Sequence, residues 1–219
     1  MDSSVRPGLV IFDCDGVLVD SEPIANQALA ELLSTHGLVL SPGEAEFHFK
    51  GLSGPDTVAK VRTDWGITLP LDFISRVEAV VWGLLEISLK PVPGVEQAIS
   101  VVIRSGSALC VASSTPLDYV KRKLTITGLL SHFEDRLYSA DEVPRGKPHP
   151  DVFLYAAAQM GVAPARCVVV EDSLPGVQGA VAAGMRVLGY ASEGGGAALR
   201  TAGAEVFGDM ADVPGLLGL

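Results

Sequence analysis

Short apolar runs alternate with helical patterns beyond Pro91, and this alternation restricts the fold more than any other feature of the sequence. The runs consist largely of Val, Ile and Leu without polar alternation, which is typical of parallel strands buried on both faces. The pattern therefore predicts an α/β fold in which helices flank a parallel sheet. The predicted strands span residues 9–12, 107–112, 136–139, 167–170, 186–190 and 205–207. The predicted helices of this part span residues 94–105, 117–128, 151–160, 176–183 and 197–202.

Residues 21–89 do not follow this alternation, because they contain helical patterns only. Pro91 and Pro93 mark the return to the strand pattern. We therefore predict two domains, a core formed by residues 1–20 and 90–219 and an all-helical domain inserted after the first strand. The helices predicted for the insertion span residues 23–36, 56–65 and 72–89.

Composition excludes several classes of protein. A chain of 219 residues that is 48% hydrophobic can bury a substantial core, and its net charge of -10 argues against nucleic-acid binding through the phosphate backbone. Apolar runs stay shorter than the roughly 18 to 20 residues of a membrane span, so no membrane association is expected. Cys14, Cys110 and Cys167 lie in apolar segments without CxxC spacing, which predicts reduced thiols in a cytoplasmic protein. A monomer is the default expectation.

Two aspartates follow the first predicted strand. Asp13 and Asp15 are two positions apart, so in an extended segment they face the same way, and Gly16 permits a sharp exit from the strand. Two neighbouring carboxylates repel each other unless a cation or a shared proton intervenes. The pair therefore indicates either a metal site or a proton-sharing dyad.

Polar groups also stand at the ends of other predicted strands or in the loops beyond them. These are Ser113, Lys147 and the pair Glu171 and Asp172. Each alone has a simpler interpretation as a helix cap, a loop lysine or a strand exit. Because loops at the carboxyl ends of parallel strands converge on one crevice, their combination with the two aspartates favours an active site.

Three motifs and the strand-end Ser113 resemble those of the haloacid dehalogenase-like superfamily of phosphatases. The motifs are DCDG at residues 13–16, GKPHPDVF at 146–153 and EDSLPG at 171–176. The sequence is most similar to the branch that contains β-phosphoglucomutase and small sugar-phosphate phosphatases. The resemblance implies a Rossmann-like catalytic core, and it implies that residues 21–89 form a helical cap over the substrate.

The resemblance also implies a role for each motif residue. Asp13 would attack phosphorus and form an aspartyl phosphate, while Asp15 would protonate the leaving oxygen and later activate water. Ser113 and the backbone N–H of Ser114 would donate hydrogen bonds to the phosphoryl oxygens. Lys147 would supply positive charge. The implied substrate is a small phosphorylated metabolite, a sugar or sugar-acid phosphate.

A Mg²⁺ ion is the implied cofactor. Its ligands would be the carboxylates of Asp13 and Asp172 and the main-chain carbonyl of Asp15, with Glu171 either a further ligand or a group that holds water. The four acidic side chains carry up to four negative charges, while Mg²⁺ and Lys147 offset three. The substrate would therefore be repelled if the cation were missing.

Two positions separate hydrolases from mutases in this comparison. Ala25 stands where the mutases have a histidine, and Gly54 stands where they have an arginine that grips a second phosphate. A phosphatase is therefore favoured over a hexose-phosphate mutase. A non-catalytic binding or regulatory protein is the alternative of another class, and intact motifs argue against it.

Three lysines outside the motifs differ in their predicted roles. The loop from Lys50 to Gly54 resembles the specificity loop of the family, which implies substrate contacts for Lys50, Gly51 and Ser53. Lys121 and Lys123 are predicted on the solvated face of a helix.

Overall fold

The computed structural model describes residues 6–50, 52–192 and 196–219. The chain divides into two compact units. One unit comprises the described residues up to Val19 together with Lys90–Leu219, and the other is Asp20–Leu89. Within the described ranges, the strands belong to the first unit and the second contains helices only.

Across the residues that the structure describes, six parallel strands form one sheet, in the order β3-β2-β1-β4-β5-β6. This is the strand order of doubly wound sheets, so the predicted α/β, Rossmann-like fold is confirmed. The observed strand ends agree with the predicted ones to within one residue. The strands are β1 (Leu9–Phe12), β2 (Ala108–Ser113), β3 (Leu137–Ser139), β4 (Cys167–Glu171), β5 (Arg186–Tyr190) and β6 (Glu205–Phe207).

The helical unit has a small core of its own, which includes Leu33, Val61 and Phe73. Three of its helices were predicted, with ends within two residues of those observed. Its helices are α1 (Glu22–Thr35), α2 (Pro42–Phe49), α3 (Gly54–Trp65) and α4 (Phe73–Ser88).

Helix α2 was not predicted from the sequence pattern, because it lacks a long apolar stripe. Its start is nevertheless encoded locally by a capping box. The Ser41 Oγ accepts a hydrogen bond from the Glu44 N–H at 3.2 Å, and the Glu44 carboxylate accepts one from the Ser41 N–H at 2.8 Å. Pro42 occupies the first turn, where its missing N–H costs nothing.

Helices cover both faces of the sheet. Leu9 and Ile11 of β1 pack in a cluster with side chains of three helices, including Phe153 and Val177. The alternate residue Phe12 is also fully buried, and its ring meets the Phe133 ring edge-on at 6.1 Å between centroids. The helices of this unit are α5 (Val95–Ser105), α6 (Leu117–Ile126), α7 (Leu130–Phe133), α8 (Asp151–Gln159), α9 (Leu174–Ala182), α10 (Gly196–Thr201) and α11 (Val213–Leu216).

The middle of the sheet determines where a site can form. Strand β1 lies between β2 and β4, and the direction of strand succession reverses between β1 and β4. Phe12 is in register with Val111 of β2 and Val170 of β4, so the residues that follow these strands emerge side by side. Such a switch point is the usual ligand crevice of an open α/β sheet. In the part of the chain that the structure describes, no helix has the length and apolarity needed to span a membrane.

Candidate active site

Asp13, Lys147 and Glu171 form a buried ionic cluster at this switch point. The Asp13 N–H donates to the Val170 carbonyl at 3.0 Å, which continues the pairing of β1 with β4. The Lys147 ammonium donates to Asp13 Oδ1 at 2.6 Å and to Glu171 Oε1 at 2.5 Å. The Lys147 side chain is only 5% exposed and that of Glu171 is fully buried. The sequence motifs predict that these three residues share one site, and the structure brings them into direct contact.

Burial controls the protonation of this cluster. It raises the pKa of Asp13 to about 7, with Glu171 adding to the rise and Lys147 opposing it. Burial also disfavours the charged form of Lys147, but the two carboxylates hold the pKa of its ammonium above the usual value. Lys147 alone therefore does not hold the pKa of Asp13 low enough for an ionised nucleophile, and the site is suited to additional positive charge.

Two glycines allow the acidic side chains to pack against the backbone. A Cβ atom on Gly176, in the first turn of α9, would lie 1.8 Å from Glu171 Oε1. A Cβ atom on Gly16 would lie 2.1 Å from Asp172 Oδ2, and Gly16 has a left-handed φ of 74°. The glycines of the first and last motifs thus provide space for the carboxylates, in addition to the turn that was predicted at Gly16.

Asp13, Glu171 and Asp172 offer carboxylate oxygens that all lie within 4.8 Å of one another. Mg²⁺ is a hard cation that prefers oxygen ligands, so the chemistry of this donor set fits the ion. Glu171 has already engaged both oxygens, since Oε1 accepts from Lys147 and Oε2 accepts from the Ser173 N–H and hydroxyl, each at 2.9 Å. Because both carboxylate oxygens of Glu171 already accept hydrogen bonds from protein groups, its contacts favour a supporting role over that of a metal ligand alone.

The Asp15 carboxylate is bound on both sides by other partners. The Thr115 hydroxyl donates to Oδ2 at 2.8 Å, and the Lys123 ammonium donates to Oδ1 at 2.5 Å. The interpretation of Lys123 as part of a solvated helix face is therefore wrong, because the residue is only 8% exposed. Its neighbour Lys121 is exposed, as predicted.

A local signal for Lys123 was present in the sequence. Val120, Lys123 and Leu124 stand at positions i, i+3 and i+4, and all three are buried on one side of α6. A lysine within such a stripe needs a buried partner, but the identity of that partner depends on the tertiary fold.

The loop after β2 is held in place by its own hydrogen bonds. The Ser113 Oγ is buried and accepts from the Thr115 N–H at 3.0 Å. The Thr115 carbonyl accepts from the Ser139 hydroxyl at 2.9 Å. Ser114, whose N–H was predicted to bind phosphate, is exposed.

In the helical unit, Lys50 is 60% exposed and pairs with Glu46 at 2.8 Å and with Glu22 at 3.3 Å. The hydrogen bond to Glu46 is the main cause that raises the pKa of Lys50. Gly51, which was predicted to contact substrate, lies outside the described residues. Within its own unit, Lys50 therefore already has two acidic partners.

The remaining residues of the predicted specificity loop begin α3. The Ser53 hydroxyl caps this helix, accepting from the Asp56 N–H at 3.2 Å and donating to the Asp56 carboxylate at 2.6 Å. A Cβ atom on Gly54 would approach Ile74 Cγ2 to 2.9 Å. The position where mutases have an arginine is therefore closely packed in this chain.

The arrangement of the motif residues agrees with the protein family that the sequence matches. Residues 7–184 match the haloacid dehalogenase-like hydrolases. The chain belongs to this family. Haloacid dehalogenase-like membership was predicted from the motifs, and the match over most of the chain confirms it. The match likewise confirms that the chain is an enzyme of the hydrolase class.

Two of the curated relatives with similar sequences are named phosphatases. The chain is 31% identical to 6-phosphogluconate phosphatase of Escherichia coli (strain K12) over 185 residues, which cover 84% of this chain and 82% of the relative. It is 35% identical to hexitol phosphatase B of the same strain over 179 residues, which cover 80% of each chain. These relatives agree with the predicted class, a phosphoric monoester hydrolase.

Solved structures of the haloacid dehalogenase-like family have the same fold. A conserved haloacid dehalogenase-like protein of Agrobacterium tumefaciens superposes with a TM-score of 0.89 at 38% identity, covering 96% of this chain and 97% of that one. A family hydrolase of Deinococcus radiodurans, with bound phosphate and sodium, superposes with a TM-score of 0.88 at 30% identity. That comparison covers 97% of this chain and 95% of the other.

Proposed function

We propose that this chain is a Mg²⁺-dependent phosphatase that hydrolyses a sugar or sugar-acid phosphate through an aspartyl phosphate on Asp13. The observation that carries the proposal is the buried cluster of Asp13, Lys147 and Glu171, with Asp172 beside it, at the carboxyl ends of β1 and β4. A buried nucleophilic carboxylate next to a fixed ammonium suits attack on a phosphate dianion.

The names of the relatives support the substrate class. Phosphorylated gluconate and hexitols are both small, hydroxyl-rich phosphate esters, and the relatives named for them cover four fifths of this chain or more. We propose that residues 21–89 act as the cap that selects the substrate, and that Lys50 is the positively charged cap residue that contacts the substrate. Because Lys50 is exposed and shared between two acids, a substrate anion could replace one of them at modest cost.

Asp13, Asp172 and the main-chain carbonyl of Asp15 would hold the metal ion, which when bound would neutralise phosphate charge and favour the ionised form of Asp13. An Asp13 oxygen forms a bond to phosphorus while the bond between phosphorus and the leaving-group oxygen breaks. Asp15 donates a proton to the leaving-group oxygen, which departs as an alcohol. Water then attacks phosphorus, Asp15 takes its proton, and the bond to Asp13 breaks to release inorganic phosphate. Ser113 donates to a phosphoryl oxygen in both steps.

The charge balance favours this assignment more than the sequence suggested. Asp13, Asp15, Glu171 and Asp172 contribute up to four negative charges, and both Lys147 and Lys123 lie among them. With a divalent metal the positive and negative charges are equal in number, so a phosphate anion enters a site without excess negative charge.

A mutase is less compatible with the packing at Gly54. An arginine there would displace Ile74, which a Cβ atom alone would already approach to 2.9 Å. A hydrolase needs no group at this position to bind a second phosphate.

The test is a phosphate-release assay on a panel of sugar, sugar-acid and hexitol phosphates with Mg²⁺. We expect release from at least one of them, full loss in excess EDTA, and recovery when Mg²⁺ is restored. Asp13→Asn should lose activity by at least a thousandfold, on the order of what loss of a nucleophile costs. Asp135→Asn, which alters an exposed acid, is the matched control and should retain activity. Equal activity of Asp13→Asn and the wild-type enzyme would contradict the proposal.

A further inference from the structure

Lys123 is buried at a helix position that would ordinarily hold an apolar side chain. It lies between Val120 and Leu124 on the buried side of α6, and its side chain is only 10% exposed. Desolvating an ammonium group is costly unless the group is paired and hydrogen-bonded. A leucine or methionine would fill the same stripe without that cost. The lysine is therefore better explained by its partner than by packing.

That partner is the carboxylate of Asp15, and a second group binds it from another direction. Lys123 on α6 donates to Oδ1 at 2.5 Å, while Thr115 in the loop after β2 donates to Oδ2 at 2.8 Å. Thr115 is itself fixed, because its N–H and its carbonyl bond to Ser113 and Ser139. The carboxylate is therefore held at both oxygens by groups that belong to two different elements.

We propose that Lys123 is a positioning residue that fixes the Asp15 carboxylate for proton transfer to and from the leaving oxygen. The inference rests on the proposed phosphatase function and adds a residue to it. An exposed aspartate samples several rotamers, and proton transfer requires donor and acceptor within hydrogen-bond reach. The Asp15 side chain is 29% exposed, and the ion pair with Lys123 together with the Thr115 hydrogen bond holds its carboxylate in one orientation.

The proposal predicts an effect that depends on the leaving group. A sugar alkoxide is a poor leaving group and needs the proton from Asp15, whereas p-nitrophenolate leaves readily without it. A general acid contributes roughly 10²- to 10⁴-fold to such reactions. Loosening Asp15 should therefore slow sugar-phosphate hydrolysis much more than hydrolysis of p-nitrophenyl phosphate.

The experiment compares Lys123→Met with Lys121→Met, a change at an exposed lysine of the same helix. We measure kcat and KM in saturating Mg²⁺ for the best sugar phosphate of the panel and for p-nitrophenyl phosphate. For Lys123→Met we expect kcat to fall about tenfold or more with the sugar phosphate and about threefold or less with the aryl phosphate, with KM nearly unchanged. Lys121→Met should match the wild-type enzyme on both substrates.

Equal losses on both substrates, or no loss, would overturn the role of Lys123. Absence of phosphate release by the wild-type enzyme would instead overturn the proposed function together with this inference, so the two failures are distinguishable. Thr115→Val removes the other anchor of Asp15 and should show the same dependence on the leaving group. If circular dichroism shows that Lys123→Met does not fold, Thr115→Val is used in its place. Equal losses of activity on both substrates with Thr115→Val would then refute the proposal.

Discussion

Gly176→Ala should disrupt the acidic cluster without removing any of its side chains. The added Cβ atom would lie 1.8 Å from Oε1 and 2.0 Å from Cδ of Glu171, far inside van der Waals contact. Gly176 is in the first turn of α9, between the cap residue Ser173 and the rest of the helix, so its backbone has little freedom to retreat. The Glu171 carboxylate must therefore move.

Three opposing contributions set the magnitude. Overpacking costs about 1–3 kcal/mol, and separating a buried carboxylate from Lys147 costs about 3–5 kcal/mol when the pair is fully broken. Replacing glycine by alanine in a helix returns about 1 kcal/mol. Overpacking less the helix gain costs about 0–2 kcal/mol. We expect the ion pair to be stretched rather than broken, at about half of its full cost, or about 2 kcal/mol. The free energy of unfolding should therefore fall by roughly 2–4 kcal/mol. In a domain of this size that lowers Tm by roughly 5–15 °C.

The assay is thermal and urea unfolding of metal-free protein, followed by a Mg²⁺ titration of activity. Gly83→Ala is the matched control, since Gly83 lies inside α4 and a Cβ atom there meets nothing within 4 Å. It should stabilise the protein by about 0.5–1 kcal/mol. A Gly176→Ala variant that is as stable as the wild-type protein, with unchanged Mg²⁺ dependence, would refute the packing argument.

Two further predictions concern the rest of the fold. Ser41→Ala removes the capping box of α2 and should lower stability by about 1 kcal/mol in urea unfolding, whereas an unchanged midpoint would show that the cap contributes nothing. Burial raises the pKa of all three thiols, that of Cys167 to about 11, so at pH 8 only about 0.1% of this thiol is ionised. Iodoacetamide should therefore label Cys14, Cys110 and Cys167 only after unfolding, and rapid labelling of the native protein would contradict their burial.

The sheet could be predicted because each strand is recognisable from the apolar residues of its own short segment. Continuous apolar runs identified all six strands, and β1, β5 and β6 begin and end at the predicted residues. That Asp13 and Glu171 lie in one crevice was expected from one topological rule, since the carboxyl ends of parallel strands meet at one edge. The rule needed no knowledge of side-chain geometry.

Other features could not be obtained in this way. Helix α2 begins at a capping box and has no long apolar stripe, so hydrophobic periodicity does not predict it. The contact of Lys123 with Asp15 joins residues 108 positions apart, and a helix pattern does not reveal which distant group a buried lysine meets. Gly176 was recognised as part of a motif, but its packing against Glu171 depends on the distance between a strand end and a helix.

The central claim is that Asp13 carries the phosphoryl group during turnover. Borohydride reduces an acyl phosphate to an alcohol, so quenching the reaction with borohydride during steady-state turnover should convert Asp13 to homoserine. We expect mass spectrometry of the peptide that contains Asp13 to show this change only when both substrate and Mg²⁺ are present. An unmodified Asp13 under conditions of rapid phosphate release, or reduction at a different carboxylate, would contradict the account.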